Sequence, residues 1–220
     1  MVVPAVNHLI LQLADSAFPT GGFVHSGGLE AAARMGLISE VTSWIRDGLE
    51  HAAHAALPLA SAGFDRTDIL ALDDEAEAWL TSTVANRASR AQGQAWLGTA
   101  VAVFQTDELR ALKQELRAAG SPCHLAPLYG RICALLGLAR DEMQRLFLFL
   151  HLRAQVSTAV RLGLMGPLEG QRFQAACTAD LAALQRACAG LTLDDLVATA
   201  PLLDVAQAHH DQLYSRMFAT

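Results

Sequence analysis

Apolar residues recur three and four positions apart along most of the chain, which is the spacing of an amphipathic helix. In the first segment, for example, Val6, Leu9, Ile10, Leu13 and Ala14 fall on one helical stripe. No segment alternates with period two, and β-branched residues are too sparse for a sheet. We therefore predict an all-α fold, a single globular bundle of about eight to ten helices that forms one domain over residues 1–220.

Start and stop signals divide this pattern into helices. Thr106 is typical of an N-cap for a helix over 107–119, with Gly120 as its stop, and residues 141–162 carry the longest helical pattern. The other signals predict a helix capped by Ser39 that stops at Pro58, a short helix opened by Thr67, a helix with the acidic run 73–77 in its first turn, a helix over 125–136, one helix from Pro167 to Gly190, a short helix capped by Thr192, and a last helix from Pro201 through Met217.

Charge and composition exclude several classes of partner. The chain has 16 Lys and Arg against 22 Asp and Glu, a net charge of -6, so it offers no basic footprint for nucleic acid. No uninterrupted apolar stretch is long enough to span a membrane, and the four cysteines show no CxxC pair. With 52% hydrophobic and only 17% charged residues, the chain is expected to expose apolar surface to protein partners. Because residues 1–15 show no basic leader pattern and the cysteines are typical of reduced thiols, we expect a cytoplasmic protein.

The long helical pattern over 141–162 combines arginine with large apolar residues. Arg145, Phe149 and Arg153 form the mixture of forked donors and aromatic anchors that protein interfaces favour, so we predict that this helix contributes to a homodimer. The alternative interpretation is a central core helix whose arginines reach out to solvent.

The segment 18–30 has the most unusual local composition. Its glycines exclude a helix interior, and it has neither the Walker lysine nor the preceding strand of a phosphate-binding loop. A tight structural turn is favoured over a ligand cradle. His25 and Ser26 are adjacent, so their side chains diverge; a small helical hydrolase using them is an alternative hypothesis, but it lacks a third catalytic residue.

Histidines provide one cluster with ligand spacing. Glu50, His51 and His54 share a helix face, but two imidazoles without further ligands do not make a metal site, and we expect no high-affinity nickel or zinc site in the isolated chain. A nickel carrier that uses this pair remains the alternative. His209 and His210 point about 100° apart and cannot chelate together.

Three segments resemble one family, the urease accessory protein UreF. They are the block LQLADSAFPTGGFVHSGGLE at residues 11–30, the sequence STAVRL at 157–162 followed by Gly170 and Gln171, and the block PLLDVAQAHHDQLYSRMF at 201–218. The order and spacing of the three segments match the family over essentially the whole chain. Many relatives have a Tyr-Ser pair where this chain has His25 and Ser26, and a bulkier or polar residue where it has Gly27.

The resemblance implies a protein that is not an enzyme and needs no cofactor. Members of the family are all-helical homodimers that act with UreD, also called UreH, and the GTPase UreG to deliver nickel to apo-urease. The resemblance therefore implies a scaffold and regulator of GTP-dependent metallocentre assembly, with the catalysis belonging to its partners.

The two ends of the chain carry the most recognisable residues and no plausible catalytic group, so we predict that they serve recognition. We expect a terminal helix over 209–218, with Arg216 and Phe218 as its interface anchor, to capture UreD. The predicted partner-binding residues, including the pair from the long helix, are Pro19, Gly21, Phe23, His25, Ser26, Glu30, Arg145, Phe149, His210, Tyr214, Ser215, Arg216 and Phe218.

Overall fold

The computed structural model describes residues 8–220, and within that range it contains α-helices, short 3-10 turns and no β-strand. Val6, predicted on the first helical stripe, lies outside the described residues. The all-α prediction is confirmed. The helices are α1 (His8–Leu13), α2 (Leu29–Arg34), α3 (Val41–Ala55), α4 (Leu57–Asp65), α5 (Ile69–Trp79), α6 (Thr83–Phe104), α7 (Asp107–Ala119), α8 (Leu125–Leu135), α9 (Arg140–Arg161), α10 (Pro167–Ala176), α11 (Thr178–Cys188) and α12 (Pro201–Ala208). Within the described range, no helix is both long enough and apolar enough to cross a membrane.

Helix α9 joins the two hydrophobic clusters of the bundle. Met143 and Leu146, near its beginning, pack in a first cluster with Trp96 and Leu128. Leu148, Leu152, Val156 and Ala159, further along the helix, pack in a second cluster that includes residues of α2, α3 and α4. Helix α9 is therefore a central element of the core, while Arg145 on it is exposed and Phe149 is only partly buried.

Helices α4 and α8 cross with their backbones nearly touching. A Cβ atom added at Gly130 would stand 1.8 Å from the carbonyl oxygen of Ala60, and one added at Gly63 would stand 2.1 Å from that of Pro127. Such contacts are tolerated only because glycine carries no side chain. Small residues thus fix the distance between two core helices.

The acidic run 73–77 does not begin a helix, contrary to the prediction; it lies in the middle and second half of α5. Asp73 is fully buried, and its carboxylate accepts hydrogen bonds from the backbone N–H groups of Cys123 at 2.8 Å and His124 at 2.6 Å. It therefore caps the start of a different helix, α8, whose free N–H groups attract negative charge.

Three further predicted boundaries are wrong. The side chain of Glu40, not Ser39, accepts the hydrogen bond that caps α3. Pro58 does not stop a helix but stands in the first turn of α4, where its missing N–H costs no hydrogen bond. The predicted helix from Pro167 to Gly190 is interrupted at Cys177, which separates α10 from α11.

We predict that Gly130→Ala destabilises the fold by about 3 kcal/mol or more, because the new methyl group would overlap the Ala60 carbonyl and force α4 away from α8. The matched control is Gly98→Ala. Gly98 also lies within a helix, α6, but has no atom within 4 Å of an added Cβ, so alanine should be neutral or stabilising by up to about 1 kcal/mol. Urea unfolding of both variants tests the account, and equal stabilities would contradict it.

Candidate protein-interaction site

The glycine-rich loop before α2 is pressed against other helices. The hydroxyl of Thr99 donates to the carbonyl of Pro19 at 2.7 Å. Gly28 has φ +86°, and a Cβ at that position would lie 3.1 Å from the backbone nitrogen of Gln207 in α12. The prediction of a tight structural turn is supported, because a side chain at Gly28 would be both strained and crowded.

The terminal helix predicted over 209–218 is not formed. Helix α12 ends at Ala208, a 3-10 turn covers His210–Gln212, and residues 213–220 run without helical structure back toward the glycine-rich loop. The reason is that the backbone groups of this segment bond elsewhere. His210, fully buried, places its ring Nε2 3.2 Å from the carbonyl oxygen of Phe218, which accepts the hydrogen bond.

Glu30 holds this C-terminal segment. Its side chain is fully buried, and its two carboxylate oxygens accept hydrogen bonds from the backbone N–H groups of Met217 at 2.7 Å and Phe218 at 3.1 Å. Two backbone hydrogen bonds extend the contact, from Ala219 to the Val24 carbonyl and from Ser26 to the Thr220 carbonyl. We call the joined segments 19–30 and 210–220 the clasp.

Arginines hold the clasp from two sides. The guanidinium carbon of Arg161 lies 3.8 Å from the ring centre of Phe23 and 4.2 Å from that of Phe218, a double cation–π contact. On the other side, Asp211 pairs with Arg87 at 2.8 Å and with Arg216 at 3.1 Å. The end of α9, the glycine-rich loop and the C-terminal segment are thereby fixed to one another.

The outer face of the clasp is apolar. Phe23 is 68% exposed and Tyr214 is completely exposed, and Val24 and Met217 are also exposed. Phe218, predicted as an interface anchor, is only 4% exposed because its ring lies beneath Arg161 and its backbone bonds to Glu30. Phe218 is thus buried within the clasp, as are Ser26, Glu30 and His210 among the predicted partner-binding residues. Val24 and Met217, which were not predicted, are exposed there.

The structure brings most of the predicted site residues together. Pro19, Gly21, Phe23, His25, Ser26 and Glu30 meet His210, Tyr214, Ser215, Arg216 and Phe218 in the clasp. Arg145 and Phe149 lie apart from it. Arg145 precedes Arg161 by sixteen residues, about 24 Å along α9, and forms an ion pair with Asp141, while Phe149 packs against the first hydrophobic cluster.

His25 and Ser26 do not form a nucleophile and base. The His25 ring Nδ1 contacts the Thr220 hydroxyl at 2.5 Å, and the buried Ser26 hydroxyl has no hydrogen-bond partner among the described residues. Burial lowers the pKa of His25, and the positive charge of Arg87 and the neighbouring His210 lower it further. Both residues serve the clasp, which leaves the hydrolase hypothesis without support.

Hydrogen bonds link Ser89, His124 and Glu77 in the order of a catalytic triad. The sequence analysis did not identify this arrangement. The two ring nitrogens of His124 lie 3.1 Å from the Ser89 hydroxyl and 2.7 Å from the Glu77 carboxylate. However, His124 is fully buried, and the Ser89 oxygen also accepts a hydrogen bond from the backbone N–H of Leu125 at 3.2 Å, so this serine braces the start of α8. Arg90, and then His124, lower the pKa of Glu77 to about 2. The arrangement therefore orders helix contacts.

The histidines of α3 face different partners. His51 lies 3.5 Å from the Asp204 carboxylate, whereas His54 bonds the Glu50 carbonyl through Nδ1 and places Nε2 3.7 Å from the Cys188 sulfur. Within residues 8–220, no group of three or more His, Cys, Asp or Glu side chains is placed to hold a metal ion. The predicted pair is thus divided between two separate contacts.

The fold and the clasp define an all-helical protein in which the two ends of the described chain meet at one partly apolar surface. Known proteins agree with that class: the UreF family model matches residues 38–178. The chain is 36% identical to "Urease accessory protein F" of Oryza sativa subsp. indica, covering 95% of this chain and 83% of the relative, and 34% identical to the Arabidopsis thaliana protein of that name, covering 95% and 90%. "Urease accessory protein UreF" of Paenarthrobacter aurescens (strain TC1) is 31% identical over 94% of this chain and 95% of its own length.

The chain belongs to the UreF family of urease accessory proteins. This confirms the resemblance carried by the three sequence blocks, two of which contribute residues to the clasp. The chain is accordingly an accessory protein and not an enzyme, as its sequence predicted.

We predict that Glu30→Gln loosens the C-terminal segment while the helices persist. Glutamine offers one acceptor oxygen in place of two, so one of the Met217 and Phe218 N–H groups loses its partner, at a cost of about 1.5–3 kcal/mol. Amide hydrogen exchange in residues 213–220 should accelerate about ten- to a hundredfold. The exposed Glu115→Gln is the matched control, and unchanged exchange in Glu30→Gln would show that the carboxylate does not hold the segment.

His151 should make the fold sensitive to acid. Burial, and secondarily the nearby His51, lower its pKa to about 4. The unfolded chain therefore binds a proton on this ring more readily than the folded chain does. The stability that His151 contributes is complete above pH 6.5 and is lost as the pH falls from there through 4. The loss amounts to about 3 kcal/mol of unfolding free energy. Urea unfolding at pH 7 and pH 4 should show a smaller loss for His151→Gln than for the wild type or the exposed control His8→Gln. An equal loss in all three contradicts this assignment.

Proposed function

We propose that this chain is the scaffold and regulator of urease maturation that the family resemblance implies. In this role it binds UreD (UreH) and the GTPase UreG, and the assembly inserts nickel into apo-urease in a GTP-dependent step. Nickel is the cargo of the assembly, and the hydrolysis of GTP belongs to UreG. The chain works as a homodimer in the cytoplasm.

The main support for this proposal is the composition and rigidity of the clasp. Its outer face presents Phe23, stacked on the guanidinium of Arg161, and the exposed Tyr214, while Arg87 and Arg216 pair with Asp211 in the same clasp. Aromatic and arginine side chains dominate binding energy at protein interfaces. The surface is also held in place by buried hydrogen bonds, so little ordering is required when a partner docks. These features suit a docking platform for UreD.

The same structure favours a scaffold over a nickel carrier. His51 and His54 have separate partners, Asp204 and Cys188, and a carrier site would require them to turn toward one ion. The chain contributes contacts between proteins, in this proposal, and does not store the metal.

The homodimer is assigned to the outward side of α9. Arg145 is exposed there, and Phe149 is only partly buried, while the clasp lies about 24 Å along the helix from Arg145. Separate positions for the two surfaces would allow a dimer to bind its partners at both clasps.

Copurification with UreD and UreG, together with the nickel content of the urease matured, tests the proposal. We predict that Tyr214→Ala combined with Met217→Ala weakens capture of UreD at least tenfold, because exposed anchors are lost while the hydrogen bonds of Glu30, which involve only backbone groups of the segment, remain. Urease matured with this variant should contain correspondingly less nickel.

The matched control is Val197→Ala, which shortens an exposed apolar side chain outside the clasp. It should copurify like the wild type. Full-strength capture of UreD by the double variant, with circular dichroism showing a folded chain, would contradict the docking role of the clasp. Failure of the wild-type chain to copurify with either partner would contradict the proposed function as a whole.

A further inference from the structure

A cavity of about 320 Å³ lies behind the glycine-rich loop, between that loop, α6, α8 and α9. This volume is at the small end of the ~300–1,000 Å³ range of small-molecule sites. One wall is aromatic and apolar and includes Phe18, Trp96, Tyr129 and Phe147. Two arginines of α9, Arg153 and Arg161, also line the cavity.

The fully charged side chains that line the cavity are both positive. Arg153 and Arg161 lie two turns apart on α9, and none of the Asp and Glu residues in the described part of the chain lines the cavity. Within residues 8–220 neither arginine forms an ion pair; their guanidinium groups donate to the carbonyls of Ala14 and Phe23. Burial lowers the pKa of Arg153, and the nearby Asp15, beyond ion-pair distance, partly offsets this effect. Two arginines without a carboxylate in ion-pair contact therefore line one cavity, and Arg161 also stacks on Phe23 and Phe218.

The aromatic wall carries hydrogen-bonding groups without strong partners. The buried indole nitrogen of Trp96 makes no hydrogen bond to the described residues. The buried hydroxyl of Tyr129 has the weakly polar Cys133 thiol beside it but no oxygen or nitrogen partner among those residues. Buried polar groups are nearly always satisfied, so each such group calls for an explanation. Burial also raises the pKa of Tyr129 well above its usual value, which keeps the phenol a donor.

We propose that this cavity is a binding site for a small organic anion, a carboxylate carried on an aromatic or apolar body. Arg153 and Arg161 attract and bind the carboxylate, and the wall of Phe18, Trp96 and Tyr129 packs against the body of the ligand. A divalent cation is disfavoured here because both charged groups are positive. The cavity lies beneath the clasp and shares Phe23 and Arg161 with it. Binding of a small anion is measured without UreD or UreG, so its failure and the failure of the proposed function are distinguishable.

The test uses three probes that differ in their polar end group: 4-phenylbutyrate, 4-phenylbutanol and 4-phenylbutylamine. Calorimetry on the full chain at pH 7.5 should show the carboxylate binding at least tenfold more tightly than the alcohol, and the amine more weakly than the alcohol. The affinity for the carboxylate should fall as salt is raised, since the attraction is electrostatic. Absence of carboxylate binding, or an order in which the three probes bind alike or the amine binds most tightly, overturns the proposal.

Variants locate the binding. Arg153→Gln should weaken carboxylate binding at least tenfold, and Ala154→Phe, which places a ring at the cavity wall, should weaken binding of all three probes. Arg117→Gln on α7 is the matched control, because Arg117 is exposed and does not line the cavity. Carboxylate affinity unchanged in both cavity variants, with circular dichroism confirming the fold, would place the binding elsewhere and overturn the proposal. The probe series on the wild-type chain decides the question even if Arg153→Gln does not fold.

Discussion

The buried carboxylate of Glu30 holds the two segments of the clasp together. It accepts hydrogen bonds from the backbone N–H groups of residues 217 and 218, nearly the full length of the sequence away. A buried carboxylate without such donors would be strongly unfavourable, so the C-terminal segment and the start of α2 are stabilised together. Once Phe218 is fixed, its ring supports Arg161, which in turn stacks on Phe23 of the glycine-rich loop. The exposed positions of Phe23 and Tyr214 follow from contacts made beneath them.

Local signals predicted the fold class and those helices whose ends are set by their own residues. Thr106 accepts a hydrogen bond from the N–H of Leu109, and Gly120 closes α7, as the sequence indicated. The prediction was wrong where a helix end depends on a distant group. Asp73 caps α8 from α5, across about fifty positions, and no spacing rule reveals that contact. Pro58 was interpreted as a stop, although proline also suits the first turn of a helix, where α4 places it.

The candidate site, like the helix ends, is predictable from the sequence only in part. The family resemblance indicates the residues of the clasp, because it marks both ends of the chain. Their individual roles depend on contacts between distant segments, which the sequence does not reveal. Helical periodicity through Met217 predicts a terminal helix, whereas Glu30 takes the N–H groups of Met217 and Phe218 that such a helix would use, and His210 bonds the Phe218 carbonyl. The ring of Phe218 is consequently buried against Arg161, and the side chain of Met217 is exposed. The cavity beside the loop gave no sequence signal, because Arg153 is separated from Trp96 and Tyr129 along the chain and meets them only in the folded bundle.

We propose the clasp, and no other face of the protein, as the place where UreD docks. Hydrogen–deuterium exchange of the wild-type chain, measured alone and after addition of purified UreD, tests this most directly. If UreD docks on the clasp, added protection is concentrated in residues 19–28 and 211–220, which include the exposed Phe23 and Tyr214. Protection confined to other elements, such as the first half of α9 around Arg145, with exchange in both clasp segments unchanged, would contradict it.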